Sequence, residues 1–193
     1  MFGFLQWLVR VIYLPLLGVR VKGLENLEGS EGSIIFANHL SNNDIIILQV
    51  VTKQKLRIMA KEEVFKIKIF APIMRWFGAF PVSRGNADRN ALATAIKALK
   101  DGETFMIFPE GTRSKTGKLQ RFMPGIAGIA IESGAPLIMA SIKGKPRLFG
   151  KTEVTFHKKM DVAQFIDPEK KHFENIRAMT EALHEKMREA LGE

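Results

Sequence analysis

The chain has 193 residues, 29 Lys and Arg against 20 Asp and Glu, and no cysteine. That length buries one good core and is too short for two ordinary domains. The missing thiol excludes disulfides, thiolate catalysis and cysteine-rich zinc sites, and a formal net charge of +9 calls for an anionic partner, either nucleic acid or an anionic membrane surface.

The N-terminus favours the membrane. Residues 1–17 are apolar, with Arg10 near the middle and Pro15 near the end. They fall short of the ~20 clean apolar residues of a spanning helix. No small-residue cleavage site follows, which argues against a signal peptide. Trp7 and Tyr13 suit the headgroup region. Residues 1–18 therefore read as an amphipathic helix lying in one leaflet, with Arg10 snorkelling to phosphate. The plainer alternative is a helix packed on the protein's own core.

Further along, residues 19–23 read as a short strand, 29–32 as a turn, 33–37 as a strand, 44–52 as a helix and 56–60 as a strand. Between 61 and 77 two patterns compete. Phe65, Ile67 and Ile69 alternate with Lys66 and Lys68, which is strand-like. Pro72 among Phe70, Ile73, Trp76 and Phe77 suits two short helical pieces lying on lipid, and that reading is preferred. Leu92, Ala95, Ile96 and Leu99 give residues 86–100 helical spacing, with Gly102 beyond the end. A strand over 104–108, a Gly/Ala/Ile-rich helix ending near Gly134, a strand over 136–142, a strand around 154–156 and a helix over 174–191 complete the chain. Ile176, Leu183 and Met187 mark the buried face of that last helix. Alternating helices and apolar strands imply a single-domain α/β sandwich around a largely parallel sheet. Sites in such sheets gather at the carboxyl ends of the strands.

Two of those ends carry chemistry. Ile34-Ile35-Phe36 runs into Ala37-Asn38-His39-Leu40-Ser41-Asn42-Asn43-Asp44. Five residues turn a regular helix through about 500°, so His39 and Asp44 would point about 140° apart, and on a strand they would take opposite faces. They meet only if the backbone bends, and Ser41-Asn42-Asn43 favour such a turn and a helix N-cap. An imidazole beside a carboxylate is the base half of a nucleophile-activating triad. The second end is Phe108-Pro109-Glu110-Gly111-Thr112-Arg113-Ser114. A glycine-containing turn with hydroxyls and a guanidinium suits an oxyanion such as phosphate. The remaining histidines carry less: His172 and His184 fall among charged residues and read as solvated, and His157 beside Lys158-Lys159 reads as a charged surface. No His/Asp/Glu grouping has metal-ligand spacing, so no metal is expected.

Together, the Asn-His-(four residues)-Asp block and the Phe-Pro-Glu-Gly-Thr-Arg-Ser block resemble the first and third motifs of the PlsC-type glycerolipid acyltransferase family. Gly78-Ala79-Phe80-Pro81-Val82-Ser83-Arg84 is similar to the family's second motif. Gly134-Ala135-Pro136-Leu137-Ile138-Met139-Ala140-Ser141-Ile142 lies where the fourth belongs, although Met139-Ala140 replace the usual Val-Pro pair. The likeness covers roughly residues 20–145 and makes 19–193 the acyltransferase domain. It implies a 1-acylglycerol-3-phosphate acyltransferase forming phosphatidic acid from acyl-CoA or an acyl-acyl-carrier-protein, without a resident cofactor. The expected seat is the cytoplasmic face of a membrane, peripheral or monotopic.

Within that frame His39 is the general base and Asp44 orients it. The acceptor hydroxyl is itself the nucleophile, so no acyl-enzyme is needed. Arg113, with Thr112 and Gly111, grips the acceptor phosphate. Arg84 and Lys61 add positive charge, and Glu110 has a positioning role. Other lysolipids, such as a lyso-ornithine lipid or lysophosphatidylcholine, remain open as acceptors. So does a catalytically silent basic membrane-binding module. Nucleic acid is not expected, because the aromatics lie in apolar surroundings and no reading helix, zinc finger or RNA-recognition pattern is present.

Overall fold

Ile34, Ile35, Phe36 and Ala37 are all fully buried, which is what a strand covered on both faces requires. They form the central strand of the molecule. The computed structural model describes residues 2–52, 54–68, 70–82, 89–144 and 146–193. In chain order its elements are α1 (Phe2–Leu16), β1 (Val19–Lys22), β2 (Ile34–Ala37), α2 (Asn43–Val51), β3 (Arg57–Lys61), α3 (Glu62–Lys66), α4 (Phe70–Trp76), β4 (Ala79–Val82), α5 (Arg89–Lys100), β5 (Phe105–Ile107), α6 (Gly125–Ser133), β6 (Leu137–Lys143), β7 (Thr152–Phe156) and α7 (His172–Leu191). Within the stretch 61–77, Lys61 ends β3 and residues 62–66 and 70–76 are helical, the two-piece arrangement preferred from Pro72. Of the helix expected over 86–100, residues 86–88 lie outside the described part of the chain.

Among the described residues seven strands make one sheet, in the order β1-β7-β6-β2-β5-β3-β4. The block β6-β2-β5-β3-β4 is parallel throughout. β7 runs antiparallel to β6 and β1 parallel to β7, so these two point the other way. Alternate residues of each strand feed two cores. Ile34, Phe36, Leu137 and Met139 face α5, α6 and α7; Ile35, Ala37, Ile138 and Ala140 face α1 and α2.

The placement of helices follows from crossover handedness. The β2-α2-β3 connection moves along the sheet in one direction, and β4-α5-β5 and β5-α6-β6 move in the other. Crossovers of one hand moving in opposite directions must put their helices on opposite faces, and they do. The loops leaving adjacent strands β2 and β5 therefore diverge to opposite faces, and a crevice opens between them at the carboxyl end.

The first helix does two jobs at once. Leu14 and Leu17 are buried with Ile47 and Leu48 of α2, and the Tyr13 hydroxyl donates to Asn43 Oδ1 at 2.9 Å. Trp7, Val11 and Ile12 each leave more than half their surface exposed. Among the described residues no helix is long and apolar enough to cross a membrane.

Two histidines depart from the sequence reading. His184 is half-buried, edge-on to Phe122 with centroids 5.1 Å apart, because α7 packs that flank onto the sheet. His157 is also half-buried, with Nε2 2.9 Å from Ser141 Oγ on the neighbouring strand. Burial, aided by Lys143, holds its pKa below the usual histidine range.

Candidate active site

At the end of β2 the buried Asn38 turns its amide sideways. Its Nδ2 donates to Ile142 O at 2.9 Å and its Oδ1 accepts from Ile142 N at 2.8 Å. Both are buried bonds between the ends of β2 and β6, so the residue that follows starts from a fixed point. That residue is His39. Its backbone N–H donates to Glu110 Oε1 at 2.6 Å, and its carbonyl accepts from the Ser114 N–H at 2.8 Å. The loop after β5 thus holds the His39 peptide from both sides.

The chain then bends. His39 Nδ1 lies 2.9 Å from Asp44 Oδ2, and the same oxygen accepts the N–H groups of Leu40 and Ser41, each at 2.7 Å. Asp44 is completely buried in the first turn of α2, where the helix dipole favours negative charge. Three polar hydrogens thus converge on one oxygen. Against a carboxylate the neighbouring Nδ1 carries the proton, which leaves Nε2 with its lone pair. The imidazole stacks on Phe108, centroids 4.0 Å apart and planes inclined by 18°. The ring therefore has one fixed edge, one covered face, and a side chain 12% exposed.

Glu110 is buried at the start of the next loop. Beyond its bond to His39, its Oε2 accepts from Gln120 N at 3.0 Å and Gln120 Nε2 at 3.1 Å. Burial pushes its carboxyl above the usual glutamate range, and the N–H groups of His39 and Gln120 pull in the other direction. Gln120 Nε2 also donates to Thr112 O at 3.1 Å. Gly111 has φ 67°, a conformation that glycine adopts without strain, and the turn it permits sends Gly111, Thr112 and Arg113 to the surface. Arg113 forms no ion pair among the described residues, and the Ser114 N–H that follows it is the donor on His39 O. A cavity of about 310 Å³ opens beside the histidine, rimmed by Leu40, Ser114, Thr116, Gly117 and Gly144.

The structure brings His39, Asp44, Glu110, Gly111, Thr112 and Arg113 to one end of the sheet. Lys61 closes β3, but its side chain lies outside the described part, as does all of Arg84. The sequence reading missed Gln120 and the clamp made by Asn38. Asn38 stood in the motif next to His39 and could have been suspected; Gln120 carried no signal. Among the described residues no three His, Asp or Glu side chains gather as a metal site would need.

The chain is also similar to known proteins in sequence and fold. A family profile described as Acyltransferase matches residues 18–143. The chain is 36% identical over 179 residues to a 1-acyl-sn-glycerol-3-phosphate acyltransferase of Bacillus subtilis, covering 89% of this chain and 87% of that one. It is 30% identical over 145 residues to a chloroplastic 1-acyl-sn-glycerol-3-phosphate acyltransferase of Arabidopsis thaliana, covering 74% of this chain and 40% of the plant protein. Its fold is similar to the crystal structure of PlsC, the 1-acyl-sn-glycerophosphate acyltransferase of Thermotoga maritima, with a TM-score of 0.74 and 26% identity over 98% of this chain and 79% of that one.

Proposed function

The chain belongs to the PlsC-type 1-acyl-sn-glycerol-3-phosphate acyltransferase family, and from that premise we propose that it forms phosphatidic acid with His39 as general base. The observation that carries this reading is the His39 Nδ1 contact with buried Asp44 at 2.9 Å. The 2-hydroxyl of the lysolipid gives its proton to His39 Nε2 as its oxygen attacks the thioester carbonyl. The new C–O bond forms, the carbonyl oxygen becomes an oxyanion, and collapse expels the thiolate, which takes the proton back from the imidazolium. Asp44 holds the tautomer and offsets the positive charge on the ring. Direct transfer needs no protein nucleophile.

In this reading Arg113, with Thr112 and the backbone at Gly111, binds the acceptor phosphate through a guanidinium fork. Arg84 and Lys61 strengthen the positive field around the same headgroup. Glu110 positions the His39 peptide and does not meet substrate. The thioester donor is acyl-CoA or acyl-acyl-carrier-protein. The work is done at a membrane surface.

The test offers the purified chain both labelled donors against 1-acylglycerol-3-phosphate and a panel of other lysolipids. Preference for the phosphate-bearing acceptor is expected. His39→Ala should lose roughly two to four orders of magnitude in turnover while still binding vesicles. Full activity in that variant would remove His39 from the role.

A further inference from the structure

We propose that the loop joining β6 to β7 is a second lipid-inserting element, which with the outer face of α1 seats the catalytic end of the sheet on an anionic bilayer. The inference rests on the reading above, in which the acceptor is a membrane lipid.

Leu148 and Phe149 stand 62% and 80% exposed, at the tip of a short loop where soluble proteins seldom present two large apolar side chains in a row. Phe149 has φ 55° and is the one non-glycine residue with positive φ among the described residues. A bulky residue in that region is strained, and strain of this kind is held in place by its surroundings. Here the Phe149 N–H donates to Leu16 O at 2.7 Å and the Gly150 N–H to Arg147 O at 2.8 Å. These bonds hold the main chain at Phe149 in place, and its ring stands exposed. Arg147 and Lys151 flank the pair and line a depression of about 400 Å³ with Phe149 and Gly150. An apolar tip between cations matches the boundary between acyl chains and anionic headgroups.

Topology puts this tip beside the chemistry. β6 is parallel to β2, so the segment after Lys143 emerges at the same end as His39. β1 runs opposite to that block, so α1 delivers its last turn, Leu16 to Gly18, to that end as well. The exposed Trp7, Val11 and Ile12 of α1 thus extend the apolar surface of the loop. One residue ties the parts together. Asn43 accepts from the Tyr13 hydroxyl on α1 and donates Nδ2 to Pro146 O in the loop at 3.1 Å, and it directly precedes Asp44. A lysolipid moving in the plane of the leaflet then meets His39 without leaving the membrane.

The absence of cysteine allows a direct test. Phe149→Cys, labelled with an environment-sensitive fluorophore in the full chain, is mixed with vesicles of phosphatidylcholine alone or with phosphatidylglycerol added. A blue shift and quenching by nitroxide-bearing lipid are expected with the anionic vesicles. Label at Glu169→Cys, beyond the opposite end of the sheet, should not respond. The pair Leu148→Ser and Phe149→Ser should weaken vesicle binding by about tenfold or more. It should leave turnover intact with a short-chain lysolipid presented as monomer. A label at 149 that stays in water, or equal loss of turnover on monomeric and vesicular acceptor, overturns the proposal. Turnover on the monomeric acceptor separately checks the acyl-transfer reading, since that assay involves no bilayer.

Discussion

Three N–H groups converge on one oxygen of Asp44, from His39 Nδ1 and from the Leu40 and Ser41 peptides. A single carboxylate therefore both closes the turn and selects the histidine tautomer. Asp44→Asn separates these tasks. The amide oxygen can keep the two peptide donors, but it offers no charge to offset an imidazolium. The expected outcome is a kcat lower by about two to four orders of magnitude with KM for the lysolipid little changed, read by steady-state kinetics. Loss of lysolipid binding with unchanged kcat would place Asp44 in the acceptor site instead. This pair was legible in the sequence because a five-residue spacing is incompatible with both regular periods. The partner of His39 on its other side was not. Glu110 lies 71 residues away, and nothing in local pattern joins a glutamate to a peptide N–H at that distance.

At the scale of elements, the expected sandwich forms and the six expected strands shift by only one or two residues, but β4 (Ala79–Val82) was read as a motif and not as a strand, because Pro81 and the flanking glycine look like a turn. What composition could not reveal is strand direction. An apolar run such as residues 136–142 has the same residues whether its neighbour runs with it or against it, so the reversed pair β1 and β7 carried no signal. Helix α1 was ambiguous for a related reason. Its apolar residues cover more than one face, and only tertiary contact sorts Leu14 and Leu17 inward from Trp7 and Ile12 outward. The antiparallel β6–β7 pair also sets the surroundings of His157. Its Nε2 sits 2.9 Å from Ser141 Oγ, and burial, aided by Lys143, lowers its pKa. A histidine whose pKa is lowered in the folded state adds stability above the unfolded value of about 6.5. That stability is lost as pH falls through the lowered folded value. The thermal midpoint should fall as pH is taken down through this window, and His157→Gln, which can keep a partner on Ser141, should flatten the slope. An unaltered slope in that variant would assign the acid sensitivity to another group.

For the whole molecule, charge and topology act together. In the proposed reading, the net charge of +9 draws the chain to anionic lipid, and the exposed cations Arg147 and Lys151 orient the His39 end towards it. Screening lengths near 10 Å at 0.1 M salt make the electrostatic part of this attraction weak at moderate ionic strength. Sedimentation with anionic vesicles should therefore fall steeply as salt is raised, leaving a residual bound fraction from the apolar side chains. Binding that ignores salt entirely would remove charge from the account. That His39 and the Glu110–Arg113 loop would come together at the carboxyl ends of the strands was readable from alternating helices and strands. That β2 and β5 would be neighbours was not, because their order depends on contacts across more than 60 residues.

One close approach has a practical corollary for hybrid enzymes. A side-chain carbon at Gly18 would sit 1.9 Å from Gly150 O, and its backbone has φ 60°. No other residue fits there without prising the two segments apart. Helix and tip are thus inherited as a unit: a chimera that grafts the leading helix of a relative onto this body must bring a glycine at the graft junction, and one that exchanges both pieces together has the better prospect of remaining whole.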